Sequence, residues 1–459
     1  MNFFPYQHAH LVGIKGVAMT ALAQLLRDCG TSVTGSDVAE EFVTQKMLTQ
    51  LHLKIQISFA DKLPDKTDCV IYTAAHQAIN NPQVQAALTK KLPVFSHAEV
   101  LALFFNQKHG IAVCGVGGKS TISAMIAWIL TKLRQNPSYA VGVGKIIGLK
   151  QTGKYAKSSK IFVAEADEYV TNPTEPNPQL RVARFSYLRP SIAVCSNILH
   201  DHPDVYANEA ATQTVFNQFF GQIKKPRVLI LNSASEKLLT TKVAKLITYG
   251  VNAHDTYFLE KNSETRDKVV TTTLHYKNTT YKVSLAVPGF FNLLNATAAI
   301  AACVAAGLPI AECIEAIRTF ASTQRRFENK GIHNGVQYYD DYAHHPSEIL
   351  ATITAAKDWE PNKRIVFAFQ PHTYSRTKKL FSEFSEVLSR ANEMLLLPIY
   401  ASAREQADTS IQSEMLLPSA KSLSGIAELA EWCKKELKPG DVFITLGAGD
   451  IYQVHELLQ

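Results

Sequence analysis

Residues 115–121 read Gly-Val-Gly-Gly-Lys-Ser-Thr and follow the apolar run "HGIAVC". Glycines let backbone N–H groups turn inward around phosphate oxygens without a Cβ in the way. The helix that opens behind them adds partial positive charge. Lys119 can reach β- and γ-phosphates, and the Ser120 hydroxyl can ligate Mg²⁺. The segment is a shortened phosphate loop: the usual spacing is G-x-x-x-x-G-K-[ST], and here Val113 stands where its first glycine belongs. Gly115, Gly117, Gly118, Lys119, Ser120 and Thr121 are therefore the expected nucleotide cradle.

Further chemistry-bearing residues cluster where apolar runs end. "FVAEADEY" puts Glu165, Asp167 and Glu168 after a strand, where one carboxylate can complete a Mg²⁺ shell begun by Ser120. "CSNILHDHPDVY" brings His200, Asp201, His202 and Asp204 to another strand end. As residues alone they read equally as a metal site or as a surface His cluster. In "YYDDYAHHPSE" and "FAFQPHTYSRTKK", Arg376 and Lys378 can hold carboxylate or phosphate, and His344 or His345 can shuttle protons.

The elements needed to position these groups form three α/β blocks. In the first, "HLVGI", "GVAMTALAQLLRDCG" and "TSVTGSD" give strand, glycine turn, helix, strand and a closing acid, a Rossmann-like opening. The second holds the phosphate loop and the buried strands "KIFVAEADE", "SIAVCSNI" and "RVLILN", suited to a parallel sheet. It continues with an antiparallel stretch over "VVTTTLHYKNTTYKVSLAVPG" and an Ala-rich helix that Gly307 can end. The third block begins near "TQRRFE" and alternates strands such as "RIVFAFQ" and "DVFITLGAG" with helices. The expected class is α/β in three domains: a Rossmann-like domain over 1–106, a central P-loop ATPase-type parallel sheet over 107–322, and a Rossmann-like domain over 323–459.

Composition fits a globular enzyme. The chain has 459 residues, 19% of them charged and 46% hydrophobic. No apolar run reaches the roughly 18–20 residues of a membrane span, and the N-terminus lacks the pattern of a signal peptide. The net charge of +7 is spread along the chain rather than gathered into a nucleic-acid footprint. The seven cysteines are scattered without a CxxC pair, which speaks for reduced thiols and against a zinc or disulfide framework. The expectation is a cytoplasmic protein, monomer or dimer, with small-molecule substrates and neither nucleic acid nor membrane as partner.

In order along the chain, "GVGGKST", "EADE", "SNILHDH", "NLLNA", "RRFE", "DDYAHHP", "FQPHTYSR" and "LGAGDI" resemble the Mur ligases, ATP-dependent amide-forming enzymes of peptidoglycan synthesis. Those pathways serve cell-wall biogenesis, cell shape and cell division. The motifs are most similar to members that join L-alanine to UDP-N-acetylmuramate through an acyl phosphate. The alternative within the family is a recycling ligase that attaches a murein tripeptide, L-Ala-γ-D-Glu-diaminopimelate.

The resemblance implies ATP and two Mg²⁺ ions. Lys119 would bind the β/γ-phosphates. Ser120 and Glu165 would hold one ion and His202 the other. Asn292 and Asn295 would face adenine, Arg326 would reach the γ-phosphate, and Asp341 the ribose. His344, His372 and Arg376 would line the acceptor and amino-acid pocket, with His344 as the base. Gly13, Gly16, Ser36 and Asp37 would receive the UDP moiety, and substrates arriving at domain junctions would imply closure before chemistry. Several relatives carry a carbamylated lysine after the metal-binding His, and here no lysine occurs between His202 and Lys224. The chain also departs from the family at Lys15 in "GIKG", Tyr169 after "EADE", Thr373 in "HTY", Ser322 and Gln324 before and within "QRRF", and a longer 170–190 segment.

Overall fold

The computed structural model describes residues 4–202, 204–401, 405 and 407–458. Three sheets, each dominated by parallel pairings, carry the helices, in keeping with the expected α/β class.

The first sheet contains β1 (His8–Val12), β2 (Ser32–Ser36), β3 (Lys54–Gln56), β4 (Cys69–Tyr72) and β5 (Val94–Ser96), with α1 (Val17–Asp28), α2 (Gln45–Gln50), α3 (Pro82–Thr89) and α4 (His97–Phe105) between or after them. All four pairings are parallel, in the order β3-β2-β1-β4-β5. The order reverses between β1 and β4, and a crevice opens at such a switch point beyond the carboxyl ends of the strands. The α4 start is set by Ser96, whose hydroxyl accepts from Glu99 N–H while the Glu99 carboxylate takes the Ser96 N–H, a reciprocal cap.

The second sheet is built on β6 (His109–Cys114), which is buried over its last five residues. It is followed by α5 (Lys119–Lys132), β7 (Ser138–Ala140), β8 (Gly153–Lys154), β9 (Ile161–Glu165), β10 (Ile192–Cys195), α6 (Glu209–Gly221), β11 (Val228–Asn232), β12 (Lys245–Gly250) and β13 (Tyr257–Leu259). Next come β14 (Glu264–Arg266), β15 (Val269–Tyr276), β16 (Thr279–Leu285), α7 (Phe290–Ala305) and α8 (Ile310–Ile317). Strands β12-β11-β10-β6-β9-β7 run parallel, so β6 has a neighbour on each side and its apolar residues face helices on both faces. Helix α5 is buried continuously from Ser120 to Leu130, which explains why its sequence lacks a polar stripe. Gly307, at φ +99°, sits just beyond α7, as a helix-ending glycine should.

The third sheet contains β17 (Glu328–His333), β18 (Val336–Asp341), β19 (Ile365–Phe369), β20 (Glu393–Leu396), β21 (Lys421–Ser422) and β22 (Val442–Leu446), in the order β17-β18-β22-β19-β20-β21. Its helices are α9 (Pro346–Trp359), α10 (Tyr374–Lys379), α11 (Phe381–Leu388), α12 (Ile426–Glu436) and α13 (Val454–Leu457). Two apolar clusters, one around Phe367, Phe369 and Trp359 and the other around Val366, Leu395 and Phe443, include alternate residues of β19 as the pleat requires.

By internal contacts the chain forms two compact units: 1–262 with 272–284 and 294–320, and 263–271 with 285–293 and 321–459. The first sheet and strands β6–β13 of the second lie in the first unit and share one apolar core, in which Phe185 stacks on Phe219 at 4.4 Å. In the second unit Lys268, on the β14–β15 hairpin, donates to Trp359 O at 2.8 Å and pairs with the buried Glu360 at 2.6 Å.

Within the first unit, the amide of Gln24 on α1 joins the first two sheets. Its Oε1 accepts the N–H of Thr152 at 2.9 Å and of Gly153 at 2.7 Å, and the side chain is fully buried. Gln24→Leu fills the same space but strands two buried donors, at a cost of about 2–4 kcal/mol. Urea unfolding of the two proteins should differ by that amount; a difference under about 0.5 kcal/mol would refute the role of the amide.

Candidate active site

In the first unit the phosphate loop is tied down before any ligand arrives. β6 lies between β9 and β10 in register, so Val113 faces Glu165 and Cys114 faces Cys195. That brings the residues after β9 and β10 alongside the loop. Asn197 Oδ1 accepts from Val116 N at 2.7 Å, and Ser196 Oγ donates to Gly117 O. Gly118, at φ +84°, caps α5 in the left-handed region. A Cβ there would stand 2.7 Å from Asn295 Oδ1, but it is the left-handed conformation that calls for glycine. Asn295, expected beside adenine, thus lies against the loop. Asn292, three residues before it on α7, is buried and donates to Pro288 O at 2.7 Å.

The Ser120 hydroxyl donates to Glu165 Oε1 at 2.8 Å, and the other carboxylate oxygen accepts from Gly142 N at 2.9 Å. Burial raises the Glu165 pKa despite the nearby Lys119. Lys119 donates to both oxygens of Glu168, each at 2.9 Å. Burial alone would lower its pKa; Glu168, Asp167 and Glu165 outweigh it and hold the ammonium above its ordinary range. Tyr206 Oη donates to Glu168 O at 2.5 Å.

His202, at φ +57°, brings Nε2 to 3.7 Å from Glu168 Oε1 and stacks obliquely on Tyr169 at 4.7 Å. Ligand atoms of Asp167, Glu168 and His202 all lie within 4.8 Å of one another. Two carboxylates and an imidazole suit a divalent cation, and the Ser120–Glu165 oxygens suit a hard one such as Mg²⁺. Asp201 accepts from His202 N at 2.7 Å and lies 3.6 Å from its Nε2, His200 Nε2 meets Tyr206 O at 2.9 Å, and Asp204 accepts from Tyr169 Oη at 2.8 Å.

Two contributors had no role assigned from the sequence. Asn197, within the "SNILHDH" motif, organises the loop from 81 residues away. Arg184, from the long 170–190 segment, pairs with Asp167 at 2.5 Å. Burial pushes the Asp167 carboxyl up, but Arg184, Lys119 and His202 together hold it below the usual range.

Also in the first unit, Gly13 (φ +83°) and Gly16, the α1 N-cap, frame the turn after β1. A Cβ at Gly13 would stand 2.4 Å from Thr73 Cγ2, at the end of β4. Asp37 is buried, accepts from Lys15 N at 2.7 Å and Val38 N at 2.9 Å, and lies 3.4 Å from His76 Nε2. Ser36 Oγ donates to Gln83 Oε1. His76, Gln77 and Ala78 are all left-handed, at φ +54°, +68° and +49°. Such strain, of order 1–2 kcal/mol per residue, gathers at binding sites.

The second unit gathers the C-terminal candidates. Of the two adjacent arginines, Arg325 is structural: it is buried, pairs with Asp340 at 3.0 Å and donates to Gly447 O and Gly449 O. Arg326 is half-buried, 3.9 Å from Glu348 and over the Tyr342 ring. Asp341 accepts the N–H of Phe327 at 2.9 Å and of Ala343 at 2.7 Å. His344 Nδ1 meets Tyr342 O at 2.9 Å and lies 3.5 Å from Glu348 Oε2, which suits a proton on Nδ1. Its ring lies 6.2 Å from that of His372, which stacks on Tyr400. Thr373 is left-handed at φ +71° and leads directly into α10, which bears Arg376.

Burial pushes the Asp341 carboxyl from 3.8 up to about 7, against the opposing pull of Arg326 and the Ala343 N–H. A carboxyl raised on folding takes up a proton, so its stabilising contribution is complete below the unfolded value and is lost as pH rises through the folded one. The thermal midpoint should therefore fall between pH 3.8 and about 7 through a component that Asp341→Asn abolishes. Equal pH slopes in the two proteins would refute this.

Comparison with known proteins bears on all of these segments. The sequence description "Mur ligase family, catalytic domain" matches residues 8–109, "Mur ligase middle domain" residues 113–303, and "Mur ligase, glutamate ligase domain" residues 325–449. A UDP-N-acetylmuramate–L-alanine ligase of Desulfitobacterium hafniense is 34% identical over 98% of this chain and 99% of its own length. The crystal structure of the UDP-N-acetylmuramate–alanine ligase MurC of Thermotoga maritima aligns with a TM-score of 0.80 at 27% identity, covering 98% of this chain and 97% of that one. A murein peptide ligase of Psychrobacter arcticus shares the fold, with a TM-score of 0.70 at 23% identity and 98% of each chain covered. Matched from its first strand to its last sheet and along nearly the whole of a curated relative, the chain belongs to the Mur ligase family.

Proposed function

We propose that this protein joins L-alanine to UDP-N-acetylmuramate at the expense of ATP, as a step of peptidoglycan synthesis. The observation that carries the reading is the Lys119–Glu168 pair beside the Ser120–Glu165 pair, a part-buried cation and a hard-oxygen site at one glycine loop. The full-length relative named for that reaction supports the choice of substrates.

The γ-phosphoryl group of ATP passes to the carboxylate of UDP-N-acetylmuramate, giving an acyl phosphate and ADP. The neutral amine of L-alanine attacks the acyl carbon, and the tetrahedral adduct expels phosphate as the amide forms. Lys119 exchanges Glu168 for the β/γ-phosphates, and its charge is worth most in this buried setting. The N–H groups of the 115–118 turn cradle the phosphates, with Asn295 at the loop's edge. Arg326 supplies the second cation for the transferring group, and Asp341 is assigned to the ribose. His344 Nε2 takes the proton released from the attacking amine, with its ring held by Tyr342 O. His372 and Arg376 belong to the amino-acid pocket, and Gly13, Gly16, Ser36 and Asp37 to the UDP moiety. One Mg²⁺ held by Ser120 and Glu165, and a second by His202 with Asp167 and Glu168, would supply further neutralisation of phosphate charge.

Domain borders are proposed at 106/107 and 322/323, while the family descriptions match residues 8–109, 113–303 and 325–449. Among the described residues no helix is long and apolar enough to cross a membrane, and all seven cysteines are unpaired thiols. A cytoplasmic setting, where ATP and UDP-sugars are made, is consistent with both.

The test is phosphate release from Mg²⁺-ATP and UDP-N-acetylmuramate with L-alanine, glycine, L-serine or L-Ala-γ-D-Glu-diaminopimelate. Release with L-alanine and a product of matching mass is expected; release with the tripeptide alone would overturn the assignment in favour of the recycling ligase. Lys119→Ala should lower turnover by about 10²-fold or more, and near-normal turnover would remove Lys119 from its assigned role.

A further inference from the structure

Lys15 stands in the turn between Gly13 and Gly16, at the carboxyl end of β1 and beside the β1/β4 crevice. A lysine at such a turn ordinarily extends into water. Here only 2% of the residue is exposed. Its ammonium donates to Val38 O at 2.7 Å and Glu40 O at 2.7 Å, with Ala39 O at 3.4 Å. Its backbone N–H goes to Asp37 Oδ2, and its carbonyl accepts from Thr44 Oγ1. Every polar atom of Lys15 therefore ends on the segment 37–44, which follows β2 and rims the crevice.

Two physical consequences follow. The first is positional. Lys15 fastens the rim to the β1–α1 turn, and Asp37, caught between Lys15 N–H, Val38 N–H and His76 Nε2, is held across the crevice from the end of β4. The second is electrostatic. Among the described residues no carboxylate pairs with Lys15: its charge is solvated by carbonyl dipoles, which stabilise it without cancelling its field. The N-terminus of α1 opens one residue further on, at Val17. The ammonium and a helix N-terminus thus flank the same turn, with the buried Asp37 carboxylate on the Lys15 backbone N–H beside them.

We propose that Lys15 is a positioning residue for the nucleoside-diphosphate part of the donor substrate. It holds the 37–44 rim in its binding geometry and contributes charge, without itself donating a hydrogen bond to the phosphates, because its protons are committed to the rim carbonyls. This rests on the reading of the donor as a UDP-sugar.

The test uses the full chain and calorimetric titration of UDP-N-acetylmuramate, with steady-state kinetics alongside. Lys15→Met keeps the volume and loses both the clamp and the charge. Its Kd for the donor should rise about tenfold or more, while kcat at saturating donor and KM for ATP stay within about twofold. Lys15→Arg keeps a charged multiple donor and should hold the donor Kd within about threefold of the unaltered protein. Should Lys15→Met fail to fold, Lys15→Gln, neutral but able to bond two carbonyls, takes its place with the same expected loss. An unchanged Kd in the neutral variant, or a loss shared equally by kcat and KM for ATP, overturns the inference. If the unaltered protein binds no UDP-N-acetylmuramate, the proposed reaction falls first and this inference with it. Binding by the unaltered protein but no selective loss in the variant sinks the inference alone.

Discussion

The first unit depends on one electrostatic constraint: a cation drawn largely out of water needs a carboxylate beside it. Lys119 meets it by resting on Glu168. A buried ammonium without a partner would give up its proton or disrupt its surroundings; a buried pair costs far less, and the ammonium stays charged. Holding that pair takes β6 between two buried neighbours, a loop with no Cβ at Gly118, and Tyr206 fixing the Glu168 backbone. The pairing is also exchangeable. In the proposed reaction phosphate replaces Glu168 on Lys119, and the released carboxylate lies within 4.8 Å of ligand atoms of His202 and Asp167.

The same economy recurs in the second unit with a division of labour. Arg325 and Arg326 are neighbours of identical type, yet one is spent on Asp340 and two backbone carbonyls while the other keeps a loose contact with Glu348. The buried arginine fixes the Gly447–Gly449 turn beside β22, and the half-buried one lies over the Tyr342 ring. Asp341 is held by two backbone donors, so its position is set by the chain itself rather than by a side-chain partner.

Much of this was legible in residues 115–121, because a glycine loop between an apolar strand and a helix has few other uses. The α/β alternation and the strand-end location of Glu165, His202 and Asp341 were legible for the same reason: buried strands advertise themselves, and sites lie where they stop. The pairings were not. Glu168 lies 49 residues from Lys119, and Asn197 lies 81 from Val116; only the parallel register of β9, β6 and β10 makes them neighbours. Nor does a sequence distinguish Arg325 from Arg326, or say that Lys15 folds back onto carbonyls, since each choice is settled by surroundings distant in the chain.

The Gln24 seam bears on modularity. One amide on α1, a helix that starts at the β1 turn, grips two N–H groups of the strand pair that borders the phosphate-loop sheet. Asp28, one turn further along the same helix, takes Tyr155 N–H. The block carrying β1–β5 is therefore not an interchangeable cassette. A chimera that grafts this block from a relative must import a matched 152–155 segment, or it inherits a joint with donors facing nothing. In this chain the joint is set by hydrogen-bond grammar, independently of how well either half folds or binds.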